Sequence, residues 1–170
     1  FPWKNAEWRP TMARTDYAGN AGDYYGSHIG GPNTLAQGDD PMFVWPDTSD
    51  QTGVFFTRSE IGWQDVVDGL SSTYWIGEKH VSVDHYPSYT DTGYDQSPFS
   101  GADIDVHRWS ELPILPDCPT IEWTSWGSAH GNLAYMGMCD RSVRAVNSSI
   151  DIETHRRLGN RKDRKVATLD

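Results

Sequence analysis

No apolar run in this 170-residue chain exceeds four residues, the length of Met42-Phe43-Val44-Trp45. A membrane helix needs roughly 20 such residues and a signal peptide roughly 7–15. The residues present therefore hold neither, and no membrane contact is expected of them. Cysteine is scarce too: Cys118 and Cys139 stand alone and have no metal-ligand spacing, which excludes a disulfide framework or a paired-cysteine zinc site. Neither H-E-x-x-H nor G-x-S-x-G occurs, so the patterns of a zinc protease and of a nucleophile elbow are both missing. Basic side chains number 14 against 24 acidic ones, a net charge of −10. Such a surface repels phosphates, which excludes nucleic acid as a partner.

Turn-forming and aromatic residues are what the chain does have. Only 36% of residues are hydrophobic, while 16 are Gly, 10 Pro, eight Trp and eight Tyr. One domain spanning 1–170 is expected, large enough for a core but rich in ordered loops. The charge is uneven: residues 156–170 carry six basic and two acidic side chains, a tail of +4 on a body of −14. A tail of that sign is suited to the acidic body of a neighbour.

Gly and Pro in the first 50 residues argue against any persistent helix there. Gly53–Arg58 reads as a strand, Ile61–Asp68 as a helical turn or a bend stopped by Gly69, and Thr73–Lys79 as a second strand. Residues 80–119 hold five prolines and read as one long irregular excursion. Leu133–Cys139 is apolar on both faces, which predicts a central, covered strand. Ser142–Val146 would return antiparallel across a two-residue turn at Asp140-Arg141 that wants positive φ at both positions. Asp151 reads as the cap of a short helix from Ile152 to Leu158, with Gly159 as its stop. The fold class expected is α+β and mainly β: an antiparallel sheet, long ordered loops and a short C-terminal helix.

In the last quarter, Gly127-Ser128-Ala129-His130 is followed by nine residues and then Asp140. With Thr15-Asp16-Tyr17-Ala18-Gly19-Asn20, Gly77-Glu78-Lys79 and Ser149-Ile150-Asp151, this resembles the planctomycete prepilin-type family whose signature is an H-x9-D-G segment. Here Arg141 replaces the signature glycine. The resemblance implies a pilin-like head without its N-terminal hydrophobic helix, an extracellular or cell-surface location, and a role in protein assembly. It assigns no reaction.

Read from the residues alone, His130 and Asp140 make a poor base and orienter. An extended strand between them holds them roughly 20 Å apart at about 3.3 Å per residue. They are expected to be structural, along with Gly127 and Asp151, and no catalytic residue is assigned. Calcium is the metal the composition favours, held by Asp91, Asp95, Asp103 and Asp105, because loops poor in apolar residues need some cause for order. Trp45, Trp109, Trp123 and Trp126 lie in predicted loops, where rings stack on glycans or anchor protein interfaces, or else form the core. Cys118 and Cys139 would pair in an oxidising compartment, whereas a buried free thiol is the local reading of Cys139. The function expected is a surface structural or interaction module. A carbohydrate-binding module and a secreted hydrolase are the alternatives.

Overall fold

Small residues decide where backbones approach closely enough to pair. Tyr17–Gly22 (β1) reads Y-A-G-N-A-G and is buried from its second residue on. Gly19 is bare because the Phe55 ring covers it; a Cβ would lie 2.6 Å from that ring. A computed structural model describes residues 10–26, 31–88, 90–165 and 167–169. Trp3, Trp8 and His28 lie outside the described residues.

Leu35–Gly38 (α1) is a single turn, with the Thr34 hydroxyl accepting from the Gln37 amide. It forms in a region where no helix is expected, because one capped turn needs no apolar face. Tyr74–Glu78 (β2) pairs antiparallel with β1, and His107–Trp109 (β3) pairs with it in parallel. Leu115–Pro116 (β4) and Gly127–Ser128 (β5) form a separate parallel ribbon. Leu133–Met138 (β6) lies antiparallel to β2, and Val143–Asn147 (β7) antiparallel to β6. The main sheet has the order β3-β1-β2-β6-β7. The fold is α+β and mainly β as expected, but the sheet is mixed, because β3 runs parallel to β1.

Directly paired residues share a face, so the register shows what each side of the sheet carries. Gly77, Met136 and Arg144 form one row, and Gly19, Ile76, Gly137 and Val143 another. The first side is the core, where Tyr74, Ala134, Met136, Met138 and Val146 pack with Trp126, Ile114 and Leu158. Gly77 makes room there for Met136 and Trp126. Trp109 and Trp126 are fully buried, which removes both rings from any surface role. At about 25 cal/mol per Å² each contributes on the order of 5 kcal/mol of transfer free energy. The second side is open: Ile76, Leu133, Tyr135 and Val143 are 37–69% exposed. β6 is therefore interior to the sheet but covered on one face only, a correction to the two-sided expectation.

Asp151 caps Ile152–Gly159 (α2), its carboxylate accepting from the Thr154 amide at 2.8 Å. The helix takes in Gly159 instead of stopping before it, since a side chain there would strike Ser110. The segment beyond is not a free tail. The buried Arg161 donates to the carbonyls of Gln51 and Gly53, Lys162 to that of Ser49, and the amides of Asp163 and Arg164 to the Asp68 carboxylate. Ala167 is buried in the core. The tail is thus tied in part to the chain's own body, through Arg161 and Lys162, while Arg164 and Lys165 stay exposed.

Gly53–Arg58 is not a strand. Gly53 is pressed against the β1 backbone, the Asn20 carbonyl accepts from both the Val54 and Phe55 amides, and Arg58 has φ 58°. Nor is 80–119 wholly irregular, since it supplies β3 and β4. Both cysteines are free thiols. Cys139 lies just past β6 with its Sγ 3.7 Å from the Tyr74 carbonyl, burial pushes its thiol up to about 12, and it is not bonded to Cys118 in this structure.

The hairpin differs in type from the two-residue turn expected. The Arg141 amide donates to Met138, and Met138 in turn donates to Ser142, which leaves a three-residue connection with Arg141 alone at positive φ, 75°. Left-handed backbone costs a side-chain-bearing residue about 1 kcal/mol. Arg141→Gly is expected to raise stability by about 1 kcal/mol, read as a higher melting temperature.

His155 is fully buried beside the Tyr74 hydroxyl at 3.3 Å, and burial pushes its pKa down to about 3. The unfolded chain takes up this proton near pH 6.5 while the folded one refuses it, so stability falls as pH drops below 6.5. Between pH 6.5 and about 4.5 the loss should be about 2 kcal/mol. Urea titrations of the wild type and His155→Gln at both pH values measure it, and the variant should lose most of that slope.

Candidate functional site

Three of the segments that carry the resemblance reach one cleft. Asp16 and Tyr17 come from the start of β1, Glu78 and Lys79 from the end of β2, and Ser128, Ala129 and His130 from β5 and the loop after it. Val81, Tyr86, Tyr94 and Asp117 close the far side of a cavity of about 370 Å³.

Gly127 positions the last of these segments. β5 lies so close to Leu115 and His80 that no Cβ fits there. The next residue, Ser128, donates to the Leu133 carbonyl at 2.5 Å and accepts the His130 amide at 3.0 Å. That hydroxyl is thus a loop brace. The His130 ring reaches Glu78 with Nε2 3.2 Å from Oε1, and packs edge-on to Tyr135 at 5.6 Å. The other Glu78 oxygen accepts the Tyr135 amide at 2.7 Å. His130 pairs across the sheet with Glu78, while Asp140 accepts the Ser142 amide and hydroxyl in the turn at the far end of β6. Those two bonds hold the Asp140 carboxyl below the usual range.

The remaining carboxylates are each tied to a tyrosine. Asp117 accepts the Tyr86 hydroxyl and the Val81 amide, with buried His80 3.6 Å behind it. Asp16 faces Tyr94, whose phenol is pushed up to about 12 by burial and that carboxylate. Arg14 lies over the Tyr94 ring at 4.2 Å and donates to the carbonyls of Ser88 and Tyr86. Lys79 is 2% exposed and donates to the carbonyls of Gly93 and Asp105 at 2.8 and 2.5 Å. Burial, aided by the Arg108 guanidinium, pushes its pKa down to about 7.

The aspartates expected to hold calcium are used otherwise. Asp91 accepts the Ser82 and Gly93 amides, Asp105 the Gln96 amide, and Asp103 the Asp105 amide. Asp95 is half-buried, and desolvation raises its pKa. Among the described residues no group of three or more His, Cys, Asp or Glu side chains is placed to hold a metal ion. Order in these loops comes instead from side chains bonding backbone. Of the four tryptophans named for glycan or interface contact, Trp109 and Trp126 are core. Trp45 is half-buried under Arg58, and Trp123 meets Tyr25 edge to face at 5.2 Å.

Sequence reasoning missed Asp16, Lys79, Tyr86, Tyr94 and Asp117 as cleft residues. The signal that would have found the first two was already in use, since both stand inside segments that carry the resemblance.

The structure defines a mainly-β domain with one mixed sheet and an acidic, tyrosine-lined cleft at the end of its open face. The chain belongs to the family described as "Protein of unknown function (DUF1559)", which matches residues 8–153. Searches of curated proteins and of solved structures found no match.

Lys79 donates to two carbonyls of the 91–106 loop, sharing Gly93 with the Arg108 guanidinium. Lys79→Met should take this donor from the Asp105 carbonyl while Arg108 still holds Gly93, at a cost on the order of 2 kcal/mol. Limited proteolysis should then cut between residues 91 and 106 faster than in the wild type, before any other site.

Proposed function

We propose that this chain is the globular head of a pilin-like surface protein that takes part in assembly outside the cell and performs no reaction of its own. The observation that supports this reading is the open face of the sheet. Its strands are buried on one side, yet Ile76, Leu133, Tyr135 and Val143 stand 37–69% exposed on the other, with Tyr17 at 52% on the same side. An apolar patch of this kind on a soluble domain marks a contact surface. The edge strand β7 adds backbone with no strand partner on its outer side among the described residues. The occupant this reading commits to is a neighbouring copy of the chain, and the affinity comes from the patch, since Arg161 and Lys162 of the tail are already bonded to the chain's own body. Among the described residues no helix is long and apolar enough to cross a membrane.

Carbohydrate binding is the second reading. Its support is Trp63 and Trp75, exposed at 53% and 39%, in place of the tryptophans first named for it. A hydrolase is the third, supported by the cleft carboxylates Asp16, Glu78 and Asp117.

Light scattering of the wild type across a concentration series decides between the first two. Self-association should appear at high concentration and persist in high salt, and Tyr135→Glu with Val143→Glu should abolish it while leaving the melting temperature within a few degrees. A wild type that stays monomeric throughout would remove assembly through this face and bring glycan binding forward.

A further inference from the structure

One carboxyl group among the described residues is buried with an oxygen left over. Asp105 is 1% exposed; its Oδ1 accepts the Gln96 amide at 2.8 Å, while Oδ2 is shut off from solvent and has no protein donor. The two cations nearby are directed at backbone instead. Lys79, at the end of β2, donates to the carbonyls of Gly93 and of Asp105 itself, and Arg108, in β3, donates to those of Ile104, His107, Gly93 and Ser125. The remaining neighbour is another acid: the Asp103 carboxylate accepts the Asp105 amide at 3.0 Å and faces the Asp105 carboxyl. Further charges surround the group at one remove. Asp16 and Asp91 face Lys79, Asp91 and Glu122 face Arg108, and Asp95 faces Asp103. An ionised Oδ2 in this position has lone pairs with nothing to fill them, beside a second negative charge, and burying such a group is costly. A neutral acid fits the same space, because its hydroxyl supplies the missing hydrogen between the two carboxyls.

The loop that carries both acids is also a wall. Pro98, Gly101, Ala102 and Val106 line a groove of about 450 Å³ on the open face of the sheet, together with Gly19, Phe55 and Ile76. The Gly19 amide ties this wall to β1 by donating to the Val106 carbonyl at 2.8 Å, one residue past Asp105. We propose that Asp103 and Asp105 share one proton and act as a pH-sensitive latch on the groove wall: the shared proton holds residues 95–106 closed, and its loss at rising pH sets two negative charges against each other and loosens the loop. The latch belongs to the loop and stands whether or not the open face binds a second copy. Burial, with the Asp103 carboxylate adding to it, pushes the Asp105 pKa from 3.8 up to about 7, a value that belongs to the pair. The closed loop therefore keeps a proton that the open loop releases, so closure is firmest at low pH and weakens as pH rises from about 4 to about 7. His155 acts in the opposite sense, since it weakens the whole fold as pH drops.

Amide hydrogen exchange of the intact chain, corrected for the intrinsic pH dependence of exchange, reads the latch. Between pH 5 and pH 7 the amides of residues 95–106 should lose protection about tenfold per pH unit, the slope of one proton, while those of β6 hold theirs or gain. Asp105→Asn keeps the shape of the neutral acid without titrating and should flatten that slope. The 13C carboxyl resonance of Asp105 in the wild type follows the proton directly and needs no variant to fold. Its midpoint should lie at about 6 or higher, and Asp103→Asn, which removes the facing charge and offers an amide donor, should lower it by about one unit. A wild-type midpoint below that value, protection of 95–106 that does not change with pH, or an equal slope in Asp105→Asn would each overturn the proposal.

Discussion

The need to bond buried loop backbone governs this structure. Long stretches have no ladder of their own, and an unpaired buried amide or carbonyl costs as much as a lost hydrogen bond. Charged side chains drawn inside the fold meet that need. Arg108, fully buried, donates to the carbonyls of Ile104, His107, Gly93 and Ser125. Lys79 shares Gly93 and adds the carbonyl of Asp105, and Arg161 holds two more. Carboxylates do the complementary work, with Asp91 and Asp68 each accepting two amides. Burial raises the cost of each charge, as the lowered pKa values of Lys79 and Arg108 register, and the carbonyl dipoles offset it. A chain with few aliphatic residues has organised its loops by polarity where others use a larger core.

That economy explains which parts of the fold could be read in advance. β6, β7 and α2 follow from local signals: an apolar run, a turn at Asp140, and a carboxylate one residue before a helix. β2 follows from its aromatic and β-branched centre. β3 could not be seen, because three residues in a proline-rich stretch become a strand only by lying against β1. Gly53–Arg58 misled in the opposite direction. Its composition is that of a strand, but Gly53 lets the chain press onto β1 and turn. The loop aspartates were read as calcium ligands; three of them, Asp91, Asp103 and Asp105, accept backbone amides, a role that composition does not reveal.

The site was legible in pieces. The position of His130 was marked, and its separation from Asp140 followed from strand geometry alone. Its actual partner, Glu78, comes from another strand, and no spacing within the last quarter could point to it. Tyr86 and Asp117 meet across a fold of the 80–119 excursion, which sequence reads only as irregular. Tryptophan count was ambiguous for the same reason: Trp109 and Trp126 fill the core that aliphatic residues would otherwise supply.

Asn20 sets the order in which all this can come together. Its side-chain amide donates to the carbonyls of Tyr74 and Gly159, and its oxygen accepts from Gly22. A strand from the first 22 residues thus waits for partners at 74–78 and 107–109 and for the end of α2. Closing loops of that length comes late and slowly. During synthesis β1 stays open until Gly159 has emerged. A fragment ending short of that glycine is not a smaller version of the fold but a chain with a buried amide left bare.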